Sequence, residues 1–367
     1  MALRRAPEPA RRWDWGLLAL VLLLCAAGLT LVHAATAAKP ALAFFPWRQA
    51  LWMAMGLVGL GLASRLDHQG VVSLGGVFYG LVGLLLVVLL LTAQQSTYGA
   101  ARWFDLGLFY MQPTELAKLA LILALAQYLS ARQKELRDFS ALLPALGMAG
   151  LMMVLILRQP SLGTALVMLP ITFSMLLVAG ARIWHLGALF AVFAAAVPLS
   201  WPFLKDYQRN RFLAFLNPEQ DALGSGYNAI QNQIAVGSGG WTGQGYLQGT
   251  QSQLHFVPFQ HTDFIFAVLA EEWGLAGCTA VLMLLLGLYA RVADTAVRAR
   301  SMSGTLLCVG VLAWLGTQTV INIGMTVGLL PVTGMTLPLL SYGGSSTIMV
   351  LTSLGLVLSV RRDSLGA

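Results

Sequence analysis

Apolar residues fill this chain in long runs separated by short polar breaks. A helix needs roughly 20 apolar residues to cross the hydrocarbon core. Ten runs answer to that length: about 15–33, 45–63, 71–92, 115–130, 141–157, 163–180, 184–202, 264–290, 305–327 and 346–360, the fourth and tenth being short. The pattern predicts an all-α polytopic membrane protein of about ten transmembrane helices. An even count puts both termini on one side. Arg4, Arg5, Arg11 and Arg12 precede the first run, Arg361 and Arg362 follow the last, and Arg65, Arg132, Lys134, Arg137, Arg182, Arg291, Arg298 and Arg300 fall in alternate connections. Basic residues collect on the cytoplasmic side, so both termini are expected there. The stretch 203–263, between helices 7 and 8, is then a large extracytoplasmic loop that folds onto the bundle, and residues 1–367 form a single integral membrane domain. The first run reads as an uncleaved span, because "VHAATAAKP" is a poor cleavage site.

Composition agrees. The chain is 57% hydrophobic and 10% charged, where a soluble domain carries about 25% charged residues. The net charge of +7 reads as the loop bias just described rather than as a nucleic-acid surface. Cys25, Cys278 and Cys308 sit inside apolar runs and read as small buried hydrophobes.

Charges at membrane depth are costly, so each is a functional candidate. Glu115 and Lys118 in "QPTELAKLAL" share a helix face. They are either a structural ion pair or a cavity-facing cation with its partner. Before them, "YGAARWFDLGLFYMQP" places Arg102 on an amphipathic stretch, an interfacial anchor or a grip for lipid phosphate. Lys205, Arg209 and Arg211 lie near the outer bilayer surface, and "GSGG" and "GQG" offer backbone N–H groups to a phosphate. Asp263 precedes an apolar run, where an aspartate caps a helix; that role is compatible with catalysis. If the helix runs through Asp263, Glu271 and Glu272 lie deeper and point about 100° apart, so this helix is packed on two sides. The segment 322–346, "NIGMTVGLLPVTGMTLPLLSYGGSS", carries Pro331, Pro338 and five glycines. It predicts a broken or re-entrant segment before helix 10, which survives at depth only beside protein or a water-filled cavity.

That segment resembles the signature of the SEDS family (shape, elongation, division and sporulation), bacterial membrane enzymes that polymerise peptidoglycan. Asn322, Gly328, Pro331, Gly334 and "SYGGSS", with Ser341, Gly343, Gly344 and Ser345, match it. "RWFDLG", "QPTELAK" and "HTDFIFAVLAEEWG" resemble further blocks, and "GTQSQL" resembles the elongation (RodA) branch more than the division (FtsW) branch. The resemblance implies a glycosyltransferase of the bacterial inner membrane acting on lipid II, the undecaprenyl-diphosphate-linked disaccharide-pentapeptide. It also implies a class B penicillin-binding protein as partner. By position it makes Asp263 the essential outer-loop aspartate, and Lys118, Glu115, Arg48 and Arg102 substrate-binding residues, with Arg209 and Arg211 as further phosphate candidates. In "RQPSLGTAL", Ser161 stands where the family usually carries aspartate. Inverting transfer from a sugar diphosphate calls for a carboxylate base, the role expected of Asp263, and for cations at the leaving group. A divalent ion such as magnesium or manganese is compatible with that chemistry, although the sequence shows no cluster of metal ligands. The rival reading is a flippase for the same lipid, which would use the buried charges as a polar pathway; a non-catalytic scaffold would need none of them.

Overall fold

The structure, a computed structural model, describes residues 13–92, 103–105, 110–159, 161–199, 201–203, 206–221, 226–254 and 256–365. Each predicted run is helical: α1 Trp15–Thr36, α2 Phe45–Ala63, α4 Gly75–Thr92, α5 Pro113–Ala131, α6 Leu143–Arg158, α7 Leu162–Ala179, α8 Ile183–Leu199, α12 Ile265–Arg298, α13 Met302–Thr326 and α14 Gly344–Leu365. A short helix, α3 His68–Ser73, takes up the start of the run expected from 71. Outside the bundle lie α9 Asp206–Leu216, α10 Tyr227–Ser238 and α11 Thr250–Gln253. Phe104 and Asp105 pair antiparallel with Met111 and Tyr110. Eight described helices are long and apolar enough to cross a membrane; α2 and α8 fall outside that group. The two runs expected to be short are full helices of 19 and 22 residues. Pro113 starts α5 at a position whose N–H has no helical partner in any case.

The core is one large cluster with a smaller one of Ala235, Val257, Phe264, Ala267 and Met325 beside it, and large apolar side chains such as Leu22, Leu81, Leu84, Val154 and Met283 face outward. That outward apolar surface is the one a bilayer covers. Lipid tails give helices no hydrophobic reason to associate, so close backbone approach holds the bundle. Along the α2–α14 seam a Cβ on Gly355 would meet the Leu60 carbonyl oxygen at 2.5 Å.

Helix α12 is two helices joined at Gly274, whose φ of 64° and ψ of −164° break the spiral. A break frees carbonyls and N–H groups that must find partners at this depth. The connection between α8 and α12 supplies them. Gln244 N–H donates to the Glu271 carbonyl at 2.9 Å and Gly245 N–H to that of Glu272 at 3.0 Å, while Leu275 and Ala276 donate to the Gly240 and Trp241 carbonyls at 2.9 and 3.0 Å. Fully buried Glu271 accepts from the Gln251 and Ser252 amides at 2.6 and 2.9 Å, fixing the start of α11. Glu272 accepts from Gln253 Nε2 at 3.2 Å.

Two expectations are corrected here. The helix begins at Ile265 with Phe264 as its N-cap, so Asp263 lies outside it and the projection of the glutamates from Asp263 does not hold. The GQG turn is not a phosphate cradle: the N–H groups of Gly243, Gln244 and Gly245 are bonded to protein carbonyls, and its glycines let the loop enter the break.

A Cβ on Gly243 would collide with the Glu272 carbonyl, whereas one on Gly237 meets open space. Gly243→Ala is therefore expected to cost about 2 kcal/mol or more and to lower the melting temperature in detergent. Gly237→Ala, inside α10, is expected to be neutral or slightly stabilising. Equal melting of the two variants would contradict the docking described.

Candidate active site

Asp263 stands on a tight turn at one end of the bundle. The Thr262 and Asp263 amides both donate to the Phe259 carbonyl at 3.1 Å, and Phe259 takes a φ of 50° to allow it. Phe264, buried, anchors the next position. Asn322, on α13 and fully buried, donates through Nδ2 to the Asp263 carbonyl at 2.8 Å and to the Met335 carbonyl at 2.6 Å. One amide thus ties the Asp263 turn to the irregular segment 327–343. Within that segment Gly334 has a φ of 72°, and a Cβ there would sit 3.3 Å from Asp263 Oδ2. A side chain at that position would be strained and would crowd the carboxylate.

Asp263 opens into a cavity of about 340 Å³. Its wall includes Glu115, Gln318, Thr336, Tyr342 and Ser346, with Ser161 and Thr164 from the start of α7. Exposed Trp103 and Phe259 stand at its rim.

The signature residues divide by task. Gly343 and Ser345 line the cavity. Ser345 Oγ donates to the Tyr110 carbonyl and accepts from the Gln112 amide, both at 3.0 Å, pinning the short β-pairing to the start of α14. Ser341 Oγ accepts from the Leu337 amide at 2.8 Å and closes a turn. Gly344 lets the Trp52 ring approach to 2.7 Å from where a Cβ would be. Pro331 lies in the irregular stretch, partly buried, outside the cavity wall. Gln49 of α2 donates to the Ser341 carbonyl and accepts from the Gly343 amide, both at 3.2 Å.

Lys118 is wholly buried behind this wall. Its Nζ donates to Glu115 Oε1 at 2.7 Å and Gln318 Oε1 at 3.1 Å, and lies 4.7 Å from the Trp314 ring centre. Gln318 continues the network, donating to the Thr336 carbonyl at 2.8 Å. Lys118 acts at the cavity surface only through Glu115 and Gln318. Glu115 Oε2, by contrast, is buried without a hydrogen-bond partner.

Arg48 is exposed near the mouth, bonded to the Tyr342 hydroxyl and 5.6 Å from the Phe44 ring centre. Tyr342 stacks on Phe45 at 4.4 Å and meets His261 edge-on at 5.6 Å. Burial, with Lys39 nearby, pushes the His261 imidazole down to about 4. Arg209 donates to the Trp201 and Pro202 carbonyls at 3.2 and 2.7 Å, away from the cavity wall. Arg211 lies on the same helix, α9. Arg102 falls outside the described residues. Among the described residues, no group of three metal-ligating side chains converges on this cavity.

Gln318 was not singled out by sequence. Its signal was there: an amide in the apolar run "WLGTQTVI". Thr164 and Thr336 left no such trace.

A helical bundle with a carboxylate-lined cavity at one end defines a multi-pass membrane protein with a polar site at the membrane boundary. The chain belongs to the FtsW/RodA/SpoVE family, described as cell cycle proteins, whose profile matches residues 14–365. It is 39% identical over 316 residues to peptidoglycan glycosyltransferase MrdB of Escherichia coli K12, covering 84% of this chain and 83% of that one. It is 37% identical over 361 residues to stage V sporulation protein E of Bacillus subtilis 168, covering 96% and 97%. Among solved structures it resembles a chain described under "Structural coordination of polymerization and crosslinking by a peptidoglycan synthase complex", with TM-score 0.81, 40% identity and coverage of 97% and 99%. It also resembles the rod shape determining protein RodA of Thermus thermophilus, with TM-score 0.72, 34% identity and coverage of 97% and 98%.

Two predictions follow from the geometry. Lys118→Met leaves Glu115 charged and unpaired in the interior, a loss of about 3–5 kcal/mol. Adding Glu115→Gln is expected to restore much of the lost melting temperature; no recovery in the double variant would contradict the pairing. For His261, the unfolded chain takes up a proton near 6.5 and the folded one near 4. Stability therefore falls as pH drops through that window and is unaffected by this group above it. The slope of melting temperature between pH 6.5 and 4 is expected to be shallower in His261→Phe.

Proposed function

We propose that this chain is a peptidoglycan glycosyltransferase of the elongation branch, polymerising lipid II into β-1,4 glycan strands with Asp263 as general base. It is a multi-pass protein of the bacterial inner membrane. The observation that carries the reading is the placement of Asp263: a half-buried carboxylate, held through its own backbone, opening into a cavity walled by the signature segment. Both termini are taken to be cytoplasmic. The Asp263 cavity then lies at the outer face, where the sugar of a lipid-linked donor emerges.

Asp263 takes the proton from the acceptor 4-hydroxyl as that oxygen bonds to the donor C1. The bond from C1 to the phosphate oxygen breaks on the opposite face, so the α-linkage becomes β, and undecaprenyl diphosphate leaves with the electron pair. A positioned base contributes about 10²–10⁴-fold to such a step. Glu115, on the cavity wall, accepts a hydrogen bond from a hydroxyl or amide of the sugar, and Lys118 holds its other oxygen. Arg48 and Arg102 are assigned to the diphosphate, with Arg209 and Arg211 guiding the lipid to the mouth. A divalent cation, when it accompanies the diphosphate, supplies further charge neutralisation. A class B penicillin-binding protein is the partner that crosslinks the product; the structural relative described as a synthase complex couples those two activities.

Purified protein, with and without its partner, is expected to convert labelled lipid II into a glycan ladder on a gel. Asp263→Asn is expected to lose at least about 100-fold in rate while melting like the wild type. A near wild-type ladder from the variant would refute the base, and no ladder from wild type with its partner would favour the flippase.

A further inference from the structure

A second cluster of ligating groups lies at the opposite end of the bundle. Helix α14 carries Ser345 at the cavity and Asp363 about 27 Å further along its axis. There His68, only 2% exposed, points Nδ1 toward Asp363 Oδ2 at 3.1 Å and Asp67 Oδ1 at 4.0 Å. The ligand atoms of these three side chains lie within 4.8 Å of one another. Yet Nδ1 is buried with no hydrogen-bond partner, because neither carboxylate lies along its bonding direction. An imidazole nitrogen aimed between two off-axis carboxylates is the arrangement an ion between them produces. With metal–ligand bonds near 2.0–2.1 Å, neighbouring ligand atoms stand about 2.9–3.4 Å apart, which brackets the His68–Asp363 separation.

The surroundings suit an ion. His68 Nε2 is paired with Ser301 Oγ at 3.0 Å, the outer partner that fixes a ligating imidazole. Asp67 is held as the N-cap of α3 by the Gln69 and Gly70 amides at 3.1 and 3.0 Å, each carboxylate oxygen keeping a lone pair for metal. Asp67 and Asp363 are the exposed members, with side chains 67% and 42% accessible, so they have room to close on an ion and solvent can fill a fourth position.

We infer that Asp67, His68 and Asp363 form a binding site for a divalent transition-metal ion, zinc by the chemistry of its donors, which staples the α2–α4 connection to the end of α14. One imidazole with two carboxylates suits zinc, while magnesium prefers oxygen donors alone. Ser301 is the N-cap of α13, so the same ion also fixes the approach of that helix. The site stands apart from the sugar chemistry and does not depend on it.

The test uses full-length, tag-free protein in detergent, stripped with chelator. Zinc titration is expected to show one ion bound per chain, and cobalt(II) to give the strong visible absorption of a low-coordinate N,O site. His68→Gln and Asp363→Asn are expected to lose both signals, and Ser301→Ala to weaken binding about 10–100-fold. Asp67→Asn keeps a capping side chain, so it is expected to melt like wild type without metal and lose the rise in melting temperature that zinc gives. If wild type binds zinc no better than His68→Gln, or Asp363→Asn binds as wild type does, the group is an ordinary ion pair and the inference fails.

Discussion

The site depends on one amide. Asn322 donates to the carbonyls of Asp263 and Met335 from a fully buried position, and the Tyr342 amide adds a bond to the His261 carbonyl at 2.9 Å between the same two stretches of irregular backbone. Irregular backbone at membrane depth persists only when its polar groups are satisfied by protein. The Asn322 side chain meets that requirement for the turn that carries the carboxylate and for the segment that walls the cavity. The turn that carries the carboxylate is therefore placed through its own main chain.

The same constraint explains the break in α12. Opening a helix at Gly274 frees carbonyls and amides, and the α8–α12 connection fills them in register. Glu271 and Glu272 then act as fasteners for that loop. Behind the cavity, Lys118 and Glu115 form a buried pair that Gln318 extends to the irregular segment. A buried pair of this kind is weak evidence for stability. Its effect is positional: it holds one oxygen of Glu115, a residue of the cavity wall, and leaves the other without a hydrogen-bond partner.

Much of the architecture was legible in the sequence. Runs of membrane length marked every long helix, since bilayer thickness sets their size. Two prolines and several glycines marked the irregular segment. The role of the glutamates was not legible. Projection from Asp263 presumed a continuous helix, whereas the chain turns at Phe259 and enters the helix only at Ile265. What Glu271 binds is backbone some twenty residues earlier, which no periodicity reports. Ser161 was noted as a departure from the family pattern, and only the fold places it on the cavity wall beside Thr164. The His68 cluster was invisible because Asp363 is distant in sequence and meets it only through the packing of α14 against α2 and α3.

The central claim is that Asn322 sets the position of the reacting carboxylate. Steady-state polymerisation by Asn322→Leu tests it most directly. Misplacing a reacting group by about 1 Å costs roughly 100-fold, so kcat is expected to fall by about that factor while KM for lipid II stays near wild type. Wild-type kcat in a folded Asn322→Leu protein would contradict the account.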